Sequence, residues 1–239
     1  MLPIGFGFSP LFFVFTIPAL LFAMWAQYKV KSTFNKYSKV PNMQNLSGLD
    51  VARVLMRNEG LEYLRVNQVP GNLTDFYNPA DKSINLSDGS TRAPSVAALA
   101  IVAHELGHAA QDKEGYFWMR ARASIVGIAN LGSNLGTMLF FIGMLLGGFA
   151  GSELGWTIAF FGVVLFAGAV AFTLVTLPVE LNASNRARQM LMRNGLVTNQ
   201  EAAGVSAMLN AAALTYIAAA AQAVAQLLYF LTLLMGRRD

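Results

Sequence analysis

Hydrophobic positions along this chain follow two different rules. Over residues 4–30, 124–178 and 202–236 apolar side chains run almost without interruption, whereas over residues 31–122 they recur at spacings that fit short helices and strands. A helix that crosses roughly 30 Å of hydrocarbon needs about 20 mostly apolar residues at about 1.5 Å each. By that measure the first run crosses once, the middle run twice and the last once. Gly147, Gly148, Gly151, Ser152 and Glu153 break the middle run and predict a helical hairpin turning near Gly151. The opening run, Ile4 to Val30, is too long for a secretory signal core, has no basic start and shows no small-residue cleavage site. It predicts a retained anchor.

Between the first two crossings the pattern is that of a small soluble domain. Ser47 predicts the cap of a helix through Val51, Val54 and Leu55 that stops at Gly60. Tyr63 to Val69 predicts a short strand. Leu73 to Tyr77, the turn Asn78-Pro79-Ala80-Asp81 and Ser83 to Ser87 predict a β-hairpin. Ser95 to about Gly115 predicts a helix rich in Ala and Leu. The fold class expected is an α-helical integral membrane protein with about four transmembrane helices and a small α+β domain. Its expected organisation is an anchor over 1–30, the domain over 31–122, a transmembrane hairpin over 123–178, a short segment over 179–201 and a last transmembrane helix over 202–239.

Charge sharpens this division. Only 13% of the 239 residues are charged, with none in 1–28, Glu153 alone in 124–178 and none in 202–236. A wholly water-soluble globule and a disordered chain are excluded, and the absence of Cys excludes a disulfide-stapled module. Four crossings put 15 of the 17 Lys and Arg on one side, many beside a membrane boundary, and loops rich in such residues stay cytoplasmic. Arg237 and Arg238 fall on the outer side, against that trend, unless the last run bends or inserts only in part. The net charge of +4 suits anionic lipid head groups, and no aromatic-basic nucleic-acid motif is present. The near absence of ionisable groups within the crossings argues against a transport pathway.

Residues 104–108 read His-Glu-Leu-Gly-His, and His104 and His108 are the two histidines of the chain. On a helix, positions four apart share a face, so both imidazoles can reach one ion. Zinc suits this pattern, since its catalytic sites use three protein ligands and leave a position for water. Glu105 stands ready to take a proton from that water, whose pKa the metal lowers toward about 7. For the third ligand the chain offers Asp112 and Glu180. Asp112 shares the face, but a third successive turn converges poorly on one ion. Glu180 follows the third crossing directly, after Pro178, where a carboxylate beside an apolar span is costly unless it is paired or metal-bound. The alternative for Glu180 is an ion pair with Arg186 or Arg188.

The motif at 104–108, followed after the hairpin by Glu-x-x-Ala-Ser-x-Arg-Ala at 180–187, resembles the gluzincin membrane peptidases, which include the HtpX-type and CAAX prenyl proteases. The resemblance is closest to the YugP-like neutral zinc metallopeptidases of bacteria. Leu73 to Pro79, Ile84 to Ser87 and Leu209 to Tyr216 share in it. It implies a zincin-like domain, one zinc per chain on His104, His108 and Glu180, Glu105 as general base, and a strand beside the site that pairs with an extended peptide. Two positions depart from the pattern: Ser184 where HtpX-type enzymes carry Asp, and Asn182 where the nearer group carries an acid. Either change alters the group that orients a histidine and neither removes a ligand.

Peptidases add substrate as a strand to an exposed edge, which makes Ile84, Asn85 and Leu86 candidates for a substrate ledge; an ordinary hairpin is the alternative. Arg186, Tyr216, Arg188 and Asn185 are candidates to stabilise the oxyanion, and for Tyr216 the alternative is a hydrogen bond between helices. The function expected is an integral-membrane zinc endopeptidase that cuts protein or peptide substrates at the cytoplasmic face of the bacterial cell membrane. The alternative is a zinc-stabilised scaffold or chaperone-like binder without catalysis. An intact Glu between the histidines favours the enzyme, because a structural site has no use for a base. Substrate identity and oligomeric state are open at this level.

Overall fold

A computed structural model of the chain describes residues 10–149 and 151–236. Residues 1–9 of the expected anchor and the tail pair Arg237 and Arg238 lie outside them. Four helical stretches are long and apolar enough to cross a membrane: Phe12–Tyr37, Phe117–Gly147, Glu153–Arg193 and Asn199–Met235. The protein is a multi-pass helical membrane protein with a small mixed sheet, as the sequence predicts. It divides into two compact units.

The first unit comprises the described residues up to Trp25, then Ala121–Leu177, and those from Tyr216 onward. It takes the outer part of helix α1 (Pro10–Tyr37), most of α5 (Phe117–Leu131), α6 (Thr137–Met144), and parts of α7 (Glu153–Arg193) and α8 (Asn199–Met235). The hairpin turns at Gly151, whose φ of 64° is left-handed, and the Ser152 N–H donates to the Leu146 carbonyl at 3.1 Å. Its two arms are in backbone contact. A Cβ on Gly143 would run into Ala159 N and Gly155 O, so only glycine permits the approach. Phe140 stacks on Phe230 with centroids 4.0 Å apart and closes this core.

The second unit, Ala26–Arg120 with Pro178–Thr215, carries the motif. Ser47 caps α2 (Gly48–Asn58) through a reciprocal pair of bonds with Asp50, and the chain leaves the helix at Gly60 with φ 63°. Strand β1 (Arg65–Val69) runs parallel to β3 (Ser83–Ser87), and β2 (Phe76–Asn78) pairs antiparallel with β3, giving the order β1-β3-β2. The short helix α3 (Asp88–Arg92) leads to α4 (Val96–Lys113), which Ser95 caps through the Ala98 N–H. Every residue of α4 from Val96 to Gln111 is buried, which is why it is Ala-rich and has no polar face.

Two features differ from the sequence reading. Ile84, Asn85 and Leu86 cannot form a free ledge, because β3 is the middle strand: β1 pairs along its whole length and β2 covers Ser83–Asn85. Asp75 takes the Ser87 N–H at 2.8 Å, and Ile84 and Leu86 are completely buried. The charge-free run beginning at 202 also belongs in part to this unit, since Val205, Met208 and Leu209 pack into the core with Leu99 and Leu191. A helix face packed on protein is as apolar as one packed on lipid.

Candidate active site

Helix α4 presents His104 and His108 one turn apart, their rings 4.8 Å between centroids and inclined at 83°. Both Nε2 atoms face the same oxygen of Glu180: His104 at 3.3 Å and His108 at 3.4 Å from Oε2. Glu180 arrives on α7, which stays helical through Pro178. The two helices come this close at Gly107, where a Cβ would sit 2.6 Å from the Ala183 carbonyl oxygen. The glycine between the histidines therefore sets the reach of the third carboxylate. Gly107→Ala is expected to push α7 away, to cost about 1–3 kcal/mol as an overpacked contact, and to lower zinc content with it. Thermal unfolding and metal analysis of purified protein check this; a variant matching wild type in both would show that the contact does not hold the site.

All three residues are buried, Glu180 at 2% exposure. Their ligand atoms lie within 4.8 Å of one another and could hold a metal ion. Bonds of about 2.1 Å in a tetrahedron set ligand atoms about 3.4 Å apart, which is the spacing each histidine nitrogen keeps from Glu180. Asp112 is elsewhere: it accepts the Tyr77 O–H and the Lys82 ammonium, each at 2.5 Å, and ties the β2-β3 hairpin to α4. The two arginines expected as alternative partners of Glu180 are engaged elsewhere. Arg186 grips Glu114 with two bonds of 2.7 Å and gives its Nε–H to Asn182, while Arg188 bonds Asn210.

Glu105 points into the same buried space. Its Oε2 accepts the Tyr77 backbone N–H at 2.9 Å from β2, the edge strand on this side of the sheet. Burial pushes the Glu105 carboxyl above its usual range, and the two neighbouring histidines pull it partly back. For His108 burial acts downward, but the bonds and charge of Glu180, with Glu105 beyond, outweigh it and leave the ring with raised basicity. Tyr77 is raised too, by burial and then by its bond to Asp112, and stays a donor at neutral pH.

The expected candidates thus divide. The structure brings His104, Glu105, His108 and Glu180 together. Arg186 stands behind His108, on its Nδ1 side, which corrects its expected place as an oxyanion donor. With Asn185, Gln189 and Arg193 it lines a polar cleft of about 350 Å³. Tyr216 falls in the first unit. Sequence reasoning missed Tyr77, Gly107 and Gln111. Gln111 alone carried a signal: a long polar side chain three residues beyond His108 on an otherwise apolar helix.

A membrane-embedded helical frame, a buried His-His-Glu cluster able to hold a metal, and a glutamate beside it within His-Glu-x-x-His define a zinc metallopeptidase of the gluzincin type. The family described as "Putative neutral zinc metallopeptidase" matches residues 12–235, and the chain belongs to it. It is 41% identical over 229 residues, 96% of this chain and 99% of the relative, to a protein of Bacillus subtilis (strain 168) described as "Putative membrane protease YugP". No solved structure matches the chain.

Proposed function

We propose that the protein hydrolyses peptide bonds of protein or peptide substrates at the cytoplasmic face of the membrane, with zinc held by His104, His108 and Glu180 and with Glu105 as general base. The observation that carries this reading is the convergence of three ligand atoms within 4.8 Å of one another, with the Glu105 carboxylate in the same buried space. Two imidazoles and one carboxylate favour zinc over harder divalent ions. Zinc bound there supplies a Lewis acid that polarises the scissile carbonyl and acidifies a water.

The chain's own residues do the rest. The Tyr77 N–H holds Oε2 of Glu105, which leaves Oε1 to take the proton from the attacking water and return it to the leaving amine. The edge strand β2 takes the place of β3 as the proposed ledge for an extended peptide. Arg186 and Arg188 are committed to Glu114, Asn182 and Asn210, and neither is proposed as the oxyanion donor. The cytoplasmic placement rests on the Lys and Arg distribution.

The test is metal removal from detergent-purified protein. Chelation with phenanthroline is expected to stop cleavage of casein or of a mixed peptide library, and added zinc to restore it. Undiminished cleavage by the metal-free protein would overturn the proposal.

A further inference from the structure

His108 is held from behind by a chain of polar side chains whose every member has its direction forced. Gln111 is completely buried, and its Nε2 lies 2.8 Å from the Val179 carbonyl and 2.9 Å from Asn182 Oδ1. A backbone carbonyl can only accept, so the Gln111 atom facing it must be the NH₂. Asn182 is fixed in the same way from its other side: the Arg186 Nε–H, which can only donate, meets Oδ1 at 2.7 Å. Arg186 is in turn clamped by both oxygens of Glu114. With its NH₂ committed, Gln111 has only its oxygen to offer His108, and Oε1 lies 3.0 Å from Nδ1. Nδ1 therefore carries a hydrogen, so the hydrogen the ring gives up on binding a metal is the one on Nε2, the atom that faces Glu180.

On its Nδ1 side His104 has no such constraint. Its Nδ1 meets the Ser184 hydroxyl at 3.3 Å, and a hydroxyl can give or take a hydrogen. One histidine has its Nδ1 hydrogen dictated from behind and the other does not.

We propose that Gln111 is a positioning residue: it fixes the tautomer and ring plane of His108 before any metal arrives, making His108 the preformed ligand and His104 the adaptable one. This rests on the metal-site reading above. An amide serves where an acid would not, because a carboxylate at 111 would set one oxygen against both the Val179 carbonyl and Asn182 Oδ1. The same logic says what position 182 requires, namely an acceptor oxygen shared by Gln111 and Arg186. Asp at 182 meets that requirement and Leu does not.

The full-length protein in detergent allows a direct test, because His104→Asn leaves His108 as its single histidine. Labelled with ¹⁵N-histidine, stripped of metal and held at alkaline pH, the ring is expected to show the Nδ1–H tautomer. Gln111→Met in that background is expected to give a tautomer mixture. In the otherwise wild-type chain, chelator competition is expected to show zinc affinity falling about 10–100-fold for Gln111→Met, as for other groups that orient a ligand. Asn182→Asp is expected to stay within about threefold of wild type, while Asn182→Leu falls in the direction of Gln111→Met, and also serves as the probe if Gln111→Met does not fold. Ser184→Ala is expected to leave the His108 tautomer unchanged. An unaltered tautomer or wild-type zinc affinity in both Gln111→Met and Asn182→Leu would overturn the inference, as would an equal tautomer change in Ser184→Ala. Absence of zinc binding in the wild type would instead overturn the metal reading on which it stands.

Discussion

Glu105→Gln is expected to keep zinc and to lower peptide hydrolysis by about 10²–10⁴-fold, the contribution of a positioned general base. The substitution keeps the shape of the side chain and retains an oxygen that can accept the Tyr77 N–H. It removes the ability to take a proton from water and hand it on. Because Glu105 is not one of the three converging ligands, the metal site keeps its donor set. Cleavage of a fluorogenic peptide together with zinc analysis on the same preparation reads both halves. Undiminished turnover would remove Glu105 from the mechanism. The scaffold alternative makes the opposite prediction in cells, where Glu105→Gln would replace the wild-type gene fully.

Glu180→Ala is expected to lose the metal. Two imidazoles one helical turn apart remain, but the oxygen that faces both nitrogens is gone, so the loss should exceed the roughly 10–100-fold cost of removing a group behind a ligand. The stabilising effect of zinc should go with it. A ligand that binds only the folded state at about 100 times its Kd adds about 2.7 kcal/mol, so added zinc should raise the unfolding temperature of wild type and not of Glu180→Ala. Asp112→Ala is the control, because Asp112 is engaged by Tyr77 and Lys82 and should leave zinc in place. Zinc retained by Glu180→Ala and lost by Asp112→Ala would reassign the third ligand.

Much of this could be read along the chain, for identifiable reasons. The four spans, the Gly151 turn and the capped helices depend on local composition and on spacing within one helix, as do the paired histidines. The β2-β3 hairpin was legible from its turn residues, but the position of β3 in the sheet was not. It depends on β1, fourteen residues upstream of β3, crossing over to pair in parallel on its other side. That pairing moved the candidate ledge from Ile84–Leu86 to β2. The run from residue 202 lies within the last candidate span, and its first turns are apolar for a second reason as well, since Val205 and Leu209 pack on protein.

By itself the sequence determined that the protein is a multi-span helical membrane protein with a His-Glu-x-x-His metal motif, because hydropathy and the helical repeat act over one to a few turns. Only the tertiary structure decided which carboxylate completes the cluster and which groups stand behind the histidines. Glu180 and Ser184 are 76 and 80 residues from His104, and Asn182 is 71 from Gln111. Their meeting depends on the close approach of α4 and α7 at Gly107, where no side chain intervenes. Asp112 is nearer in sequence, yet it is drawn to Tyr77 and Lys82, because a short-range partner in the fold outweighs proximity along the helix.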